Sequence, residues 1–153
     1  MRLLIQRVLE ASVRVDGEII GSIGNGYLVL LGACNSDTTD VVDKMMKKLV
    51  GLRIFEDENG KTNLSIGDAG GDILMVSQFT LYADCTHGKR PSFINAGDPK
   101  HANEMYEYAI RVLRENYGMK VETGAFAADM KVSLINDGPF TFMLDSKELG
   151  FEK

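Results

Sequence analysis

The chain has 153 residues, of which 44% are hydrophobic, and its formal net charge at pH 7 is −5. This length and apolar fraction predict one domain, residues 1–153, with a substantial core. The negative charge argues against a DNA-binding surface, because non-specific affinity for a duplex needs clustered cations.

Strand patterns fill the first third of the chain. The segments RLLIQRV and SVRV precede Asp16-Gly17, which is a hairpin signal, and EIIGSI follows it. After the turn GNG, the continuous apolar run YLVLLGAC is typical of a buried strand.

Helical spacing follows in SDTTDVVDKMMKKLVGL. Its apolar residues recur at helical intervals behind Ser and Asp capping candidates, so this segment predicts a helix. The apolar positions are Val41, Val42, Met45, Met46, Leu49 and Val50. LRIF then predicts a short strand, and EDENGK predicts a loop.

The segment DILMVSQFTLYAD is the most strand-like stretch of the chain. Alternation within it predicts one face with Ser77, Phe79 and Leu81 and a second, polar face with Gln78, Thr80 and Tyr82. Buried polar groups need partners. These side chains therefore belong either to a hydrogen-bonded strand end or to a functional site.

A second helix is predicted from Asp98-Pro99, with Asp98 as its cap, to Gly118. Its inner face is an apolar stripe, which is typical of core: Ala102, Met105, Tyr106, Ala109, Leu113 and Tyr117. KVETGAF, DMKVSLIN and FTFMLDS predict the last strands. We expect an α/β fold with mostly antiparallel, barrel-like β-sheets and two main helices packed on them, since the helices are too few for a doubly wound parallel sheet.

The last strand pattern, VSLINDGPFTFMLDS, is interrupted by Gly138-Pro139. Proline has no N–H for a sheet ladder, and glycine weakens a strand. A turn is the simpler interpretation, because residues 136–139 are rich in turn formers. A functional role for the pair is the alternative.

The two cysteines and the lack of long apolar runs indicate the compartment. Cys34 and Cys85 are far apart and form no C-x-x-C motif, so we expect reduced thiols in a cytoplasmic protein. No apolar run approaches a membrane span, and the charges in MRLLIQRVLEASVRV do not fit a signal peptide. We therefore expect no membrane contact.

Common catalytic motifs are missing from the sequence. The residue five positions before Gly60 is Phe55, so the phosphate-loop pattern fails, and no G-x-S-x-G occurs. His87 and His101 do not have zinc-site spacing, so we expect no metal. A Ser–His or Cys–His pair stays open, because such partners meet only in space.

Several motifs, in order, resemble the D-aminoacyl-tRNA deacylase family nearly end to end. They are LIQRVLEASVRVDGEIIGSIGNGYLVLLG, SQFTLYAD, GKRPSF, DPKHANEMYEYAIRVLRENYGMKVETGAF and NDGPFTF. SQFTLYAD and NDGPFTF are the diagnostic pair. Two positions depart from the family pattern: Ala127 stands where glycine is expected, and Phe140 stands where valine is expected.

The resemblance implies a homodimer that hydrolyses the ester joining a D-amino acid, or glycine, to the 3′-terminal adenosine of tRNA. The partner would be the aminoacyl-tRNA 3′ end, and the reaction would need no cofactor. The resemblance also implies that the Gly138-Pro139 bond is cis and that the pair reaches into the other subunit's active site. There its carbonyls would reject L-amino acids.

The family's functional residues carry over to positions of this sequence. Ser77, Gln78 and Thr80 would be catalytic, with the first two lining the scissile ester. For Thr80 we favour water orientation over nucleophilic attack, because no base adjoins it in sequence. The other implied roles are substrate binding by Phe79, Phe126 and Met130, support of the Gly-Pro loop by Arg7, chiral filtering by Gly138 and Pro139, and phosphate contacts by Lys89 and Arg90.

Two other functions stay open. One is a related deacylase that acts on a small L-amino acid, to which a trans Gly-Pro bond would point. The other is a non-catalytic module that binds RNA ends or a protein, with SQFTLY as ordinary core strand.

Overall fold

The computed structural model describes residues 1–152, so Lys153 of the expected domain lies outside the described residues. The elements follow in the order β1 (Arg2–Val15), β2 (Glu18–Ile23), β3 (Gly26–Gly32), α1 (Thr39–Gly51), β4 (Phe55–Glu56), β5 (Thr62–Leu64), β6 (Asp72–Ser77), a 3-10 helix (Phe79–Tyr82), α2 (Pro99–Tyr117), β7 (Val121–Thr123) and β8 (Lys131–Asp145). Across residues 1–152, neither α-helix combines the length and apolar character of a membrane span.

The main sheet has the strand order β2-β1-β3-β6-β7, with β8 also paired to β1. Its pairs are antiparallel except β3–β6 and β6–β7. The sheet curls until β2 faces β7, where a Cβ on Gly21 would lie 2.6 Å from the carbonyl oxygen of Thr123. A nearly closed barrel with two helices results, which confirms the expected fold class.

Both predicted helices form, and each buries its apolar stripe. Helix α1 is capped by Thr38, whose hydroxyl accepts from the amide of Val41, and α2 ends at Gly118 with φ of 61°. The Tyr106 hydroxyl donates to the carbonyl of Met75 at 2.9 Å and ties α2 to β6. Tyr117 departs from the prediction, since it is exposed at the end of the stripe.

Two apolar cores hold the structure together. The larger one lies between the sheet and both helices, and the smaller one lies inside the barrel, between Val8, Ala11, Val13, Ile23, Leu28, Leu74 and Val76. Strand β6 separates the two cores, with Met75 in the first and Leu74 and Val76 in the second. Both faces of β6 are therefore buried, which gives a rigid support to whatever follows its last residue.

The prediction that a strand continues through SQFTLYAD is wrong beyond Ser77. Strand β6 ends there, and residues 79–82 form the 3-10 helix instead. Gly32 on the neighbouring strand explains the turn, since a Cβ there would lie 3.0 Å from the carbonyl oxygen of Gln78 and 3.1 Å from Cβ of Leu81. The missing side chain at Gly32 lets the chain fold over the sheet.

At each end of the chain, two strand segments that the sequence predicts separately form one continuous strand. Strand β1 runs through residues 2–15, and β8 runs beside it through residues 131–145. In their pairing, Gln6 faces Thr141 while Val8 faces Asn136, so residues 137–140 loop out of the ladder. The strand predicted in KVETGAF is shorter than expected, because β7 ends at Thr123.

Candidate active site

A cavity of about 710 Å³ opens where β6 ends, which is within the usual size range of small-molecule sites. Four segments form it: the end of β3, the end of β6 with the 3-10 helix, the loop that leads into α2 with the start of that helix, and the loop between β7 and β8 with the start of β8. Its walls include Leu31, Ala33, Val76, Ser77, Gln78, Phe79, Phe93, Ile94, Pro99, Ala102, Phe126, Ala127, Ala128, Asp129, Met130 and Val132.

Ser77 and Gln78 supply uncharged polar groups to a cavity whose other walls are mostly apolar. The amide of Gln78 donates to the carbonyl of Leu31 at 2.7 Å, which fixes the backbone at the strand end. The Gln78 side-chain amide donates to the hydroxyl of Thr80. Thr80 is exposed and does not itself line the cavity. The structure therefore joins Thr80 to the site through Gln78.

Arg2 and Tyr82 hold the 3-10 helix that follows Gln78. The Arg2 guanidinium donates to the carbonyl of Leu81 at 2.8 Å and lies 4.6 Å from the centre of the Tyr82 ring. Burial raises the pKa of Tyr82 far above its ordinary value, and a hydrogen bond with Cys34 adds to the shift, so the phenol stays neutral. These contacts orient the turn that carries Phe79.

Phe79 and Phe93 form an aromatic pair at the mouth of the cavity. Their ring centres lie 5.2 Å apart, with an edge-to-face angle of 75°. Both rings remain substantially exposed, at 53% and 40%. The neighbouring Ile94 was not singled out in the sequence, although three apolar residues in the short run SFINA were a visible signal.

Phe126 and Met130, which the resemblance assigns to substrate binding, both line the cavity. The Phe126 ring lies 6.3 Å from that of Tyr106 on α2. Ala127 adopts φ of 61°, a left-handed conformation that favours glycine. The glycine expected from the family pattern is thus explained by the backbone, and this chain holds alanine in the same conformation.

Arg7 holds the loop that contains Gly138 and Pro139. Its Nε donates to the carbonyl of Asp137 at 3.0 Å, its Nη1 donates to the carbonyl of Ile54 at 2.5 Å, and its guanidinium lies 4.1 Å from the centre of the Phe140 ring. The Gly138-Pro139 bond is cis, as the resemblance implies.

This loop is exposed and separate from the cavity of its own chain. Asn136 closes its base, since the side-chain amide donates to the carbonyls of Arg7 and Phe140 at 3.2 and 3.1 Å. Among the described residues that line the cavity, none belongs to residues 136–141 or is Arg7. Of the residues assigned from the sequence, the structure brings together Ser77, Gln78, Phe79, Phe126 and Met130, while Arg7, Gly138 and Pro139 form a second cluster.

The ionisable groups of the cavity lining are few. Within residues 1–152 they are the carboxylates of Asp98 and Asp129, and both residues are exposed. Asp129 is paired with Lys131 at 2.6 Å. Lys89 and Arg90 lie exposed in the loop that leads to Phe93. Any hydrolysis here would depend on hydroxyl, amide and backbone groups together with those of the substrate.

A possible metal-binding cluster lies outside this cavity. Cys34, Asp37 and Glu152 have ligand atoms within 4.8 Å of one another. The ammonium group of Met1 already occupies this cluster, since it lies 2.6 Å from the Asp37 carboxylate and 3.4 Å from that of Glu152. A cation is thus supplied by the chain itself.

Comparison with known proteins places this geometry in a family. Residues 4–145 match the family model described as D-Tyr-tRNA(Tyr) deacylase. A D-aminoacyl-tRNA deacylase of Desulfitobacterium hafniense is 53% identical over 148 residues, which are 97% of this chain and 99% of that protein. One of Yersinia enterocolitica is 54% identical over 141 residues, covering 92% and 97% of the two chains.

Solved structures show the same fold. A protein described as c-Myc DNA Unwinding Element Binding Protein superposes with a TM-score of 0.89 and 40% identity, covering 95% of this chain and 98% of that one. A second structure, described as a probable eukaryotic D-amino acid tRNA deacylase, gives a TM-score of 0.83 over 94% of this chain and 97% of its own, with 17% identity. At that identity the second match concerns the fold alone.

Proposed function

The chain belongs to the D-Tyr-tRNA(Tyr) deacylase family, and we propose that it hydrolyses D-aminoacyl-tRNA in the cytoplasm as a homodimer whose active sites lie at the subunit interface. The products are the free D-amino acid and tRNA. The observation that carries the proposal is the cavity at the end of β6, where Ser77 and Gln78 supply polar groups beside apolar walls. That combination suits an ester linkage attached to a nucleoside.

Water is the attacking group in this scheme. It adds to the ester carbonyl and gives up one proton, and the carbonyl oxygen becomes an oxyanion. Collapse of the oxyanion then breaks the bond to the ribose oxygen of the terminal adenosine, which takes up the proton. The amides of Phe79 and Thr80 begin the 3-10 helix and have no intrahelical acceptor, so they are suitable donors to the oxyanion. The Gln78–Thr80 pair orients the water, and the 2′-hydroxyl of the adenosine assists proton transfer.

The terminal adenosine occupies the apolar part of the cavity. Phe126 and Met130 face its base, and Phe79 covers it from the mouth, since aromatic side chains stack on unpaired bases. Lys89 and Arg90 are exposed in the loop that leads to Phe93 of the cavity lining, so they are available to contact the neighbouring phosphates. A grip limited to the RNA end agrees with the net charge of −5.

Chiral selection is assigned to Gly138 and Pro139 of the other subunit. Their carbonyls accept from the substrate's ammonium group and leave no space for a side chain in the L position. The loop is exposed, clamped by Arg7, and outside the cavity of its own chain, which supports a role in a second copy. The exposed apolar residues Leu9, Ile135 and Met143 on β1 and β8 are a suitable surface for that copy.

Glycine passes this filter. A filter that works by excluding an L side chain has nothing to reject in glycine, which lacks one. Hydrolysis of glycyl-tRNA, where glycine is attached to a tRNA for another amino acid, therefore follows from the same geometry.

One assay tests the proposed function. The purified protein is incubated with D-tyrosyl-tRNA and with L-tyrosyl-tRNA, and release of the amino acid is followed. We expect rapid hydrolysis of the D ester and negligible hydrolysis of the L ester. Hydrolysis of small L-aminoacyl esters in place of D esters would support the related deacylase, and RNA binding without hydrolysis would support a non-catalytic module.

Thr80→Ala should keep measurable hydrolysis of D-tyrosyl-tRNA. Loss of one hydrogen bond from Gln78 to the hydroxyl predicts a decrease in kcat of about tenfold or less. Replacing the 2′-hydroxyl of the terminal adenosine with hydrogen should cost about 100-fold or more, because it removes a group that takes part in proton transfer. Single-turnover rates compare the two changes, and an acyl-enzyme trapped on Thr80 would contradict the scheme.

A further inference from the structure

We propose that Phe93 and Ile94 form a binding surface for the base of the nucleotide that precedes the terminal adenosine. The inference rests on the proposed function, because it adds a subsite to the same cavity. Ile94 exposes 84% of its surface, the largest fraction among the exposed large apolar residues of the described chain. Together with Phe79 and Phe93 it forms an apolar cluster at the cavity mouth. Clustered exposed apolar groups mark binding surfaces, whereas isolated ones do not.

The loop that carries these side chains is anchored on both sides. On one side, Asp84 and Ser92 exchange two backbone hydrogen bonds of 2.7 and 2.9 Å. On the other, the amide of Gly97 donates to the carbonyl of Ala33 at 2.8 Å. Phe93 therefore lies on an ordered backbone, so binding does not cost the conformational entropy of ordering a free loop.

Asp84 strengthens the first anchor with its side chain. The hydroxyl and the amide of Thr86 donate to its carboxylate at 2.6 and 2.9 Å. These two hydrogen bonds lower the pKa of Asp84, and that of the hydroxyl has the larger effect. The carboxylate is therefore ionised and bound to Thr86 at neutral pH. The start of the loop is thus closed by backbone and side-chain bonds together.

The chemistry of the cluster suits an unpaired nucleobase. Aromatic faces and adjacent cations are the usual means of holding single-stranded RNA, and stacking accepts any base. The Phe93 ring meets the Phe79 ring edge to face, which leaves aromatic surface uncovered. Lys89 and Arg90 precede Phe93 in the same loop and lie exposed. Base and phosphate contacts are therefore available from one segment.

Position along the cavity selects the nucleotide. The proposed site of the terminal adenine lies on the wall of Phe126 and Met130, which are less exposed than the mouth. Phe93 and Ile94 lie at the solvent side of the same cavity. A strand whose 3′ end enters the cavity passes this rim with its preceding nucleotide.

The test compares three D-tyrosyl esters: those of adenosine, of a dinucleotide that ends in adenosine, and of tRNA. For Phe93→Ala we expect kcat/KM to fall about 5- to 150-fold on the dinucleotide and tRNA esters, mainly through KM. The loss on the adenosine ester should be several-fold smaller, because that substrate has no base at the rim. Phe93→Trp should restore most of the affinity, since it keeps a stacking face.

Tyr117→Ala is the matched control, because Tyr117 is an aromatic residue with 39% exposure at the far end of α2. It should leave all three esters unaffected. An equal loss on the three esters, or no loss on any, would overturn the subsite while leaving the deacylase activity of the wild type intact. Absence of hydrolysis of every ester by the wild type would overturn the proposed function and the subsite together.

Discussion

Arg7→Ala should lower kcat/KM on D-tyrosyl-tRNA by about 100-fold, because a displacement of about 1 Å at a positioned group costs that much. Under the proposed function Arg7 acts as a positioning residue. Only 4% of its surface is exposed, and its guanidinium contacts the carbonyls of Asp137 and Ile54 and the Phe140 ring. Alanine would release the loop that carries Gly138. Arg7→Lys keeps the charge but not the two-sided hydrogen bonding, so it should restore little.

A control variant and a second readout separate position from stability. Arg14→Ala removes an exposed arginine of the same strand, whose bond to the carbonyl of Gly17 is 3.2 Å, and should have little effect. The ratio of D-ester to L-ester hydrolysis should fall in Arg7→Ala, which a merely unstable variant would not show once the folded fraction is measured. Wild-type activity and selectivity in Arg7→Ala would refute this role for the arginine.

Mixing two damaged subunits tests whether the site is shared. An Arg7→Ala chain keeps Gln78 but loses the ordered loop. A Gln78→Ala chain keeps the ordered loop but loses Gln78. If the loop acts across the interface, a mixed dimer contains one site with both intact parts and one with neither. Mixing should then restore activity that each variant alone lacks.

The two main helices were predictable because the residues that determine them lie within or next to each helix in the sequence. Apolar spacing predicts α1, although its cap is Thr38 rather than one of the expected Ser and Asp candidates, and Asp98-Pro99 and Gly118 bracket α2. Strand β6 was also predictable from its apolar run. Its end was not, because the turn after Ser77 depends on the absence of a side chain at Gly32, 45 residues earlier in the chain.

The remaining features of the site depend on contacts between distant parts of the chain. The Gly-Pro loop looks like a hairpin turn in the sequence, yet β8 continues past it because β1 pairs on both sides. The family resemblance implies roles for SQFTLYAD and NDGPFTF that composition and spacing left open. The aromatic pair of Phe79 and Phe93 joins two loops that no periodicity connects.

Asp37→Asn should lower the free energy of unfolding by about 3 kcal/mol or more, because it leaves a buried ammonium without its main counter-charge. The Met1 ammonium and the Asp37 side chain are both fully buried, and the ammonium also donates to the hydroxyl of Ser146 at 2.7 Å. Asp37 further accepts from the amide of Cys34 at 2.8 Å. The urea midpoint measures the change, given an unaltered slope.

The same substitution should reach the cavity through the backbone. Residues 33–37 support the start of α2, since the carbonyl of Ala33 accepts from Gly97 and the carbonyl of Asp37 lies 3.0 Å from Nε2 of His101. A loosened Asp37 would therefore raise KM for D-tyrosyl-tRNA as well as lower stability. Asp68→Asn, at an exposed carboxylate, is the control and should change stability by no more than about 0.5 kcal/mol. An unchanged urea midpoint in Asp37→Asn would contradict this prediction, because it would mean that the attraction of the Asp37 carboxylate to the ammonium only offsets the cost of burying that carboxylate.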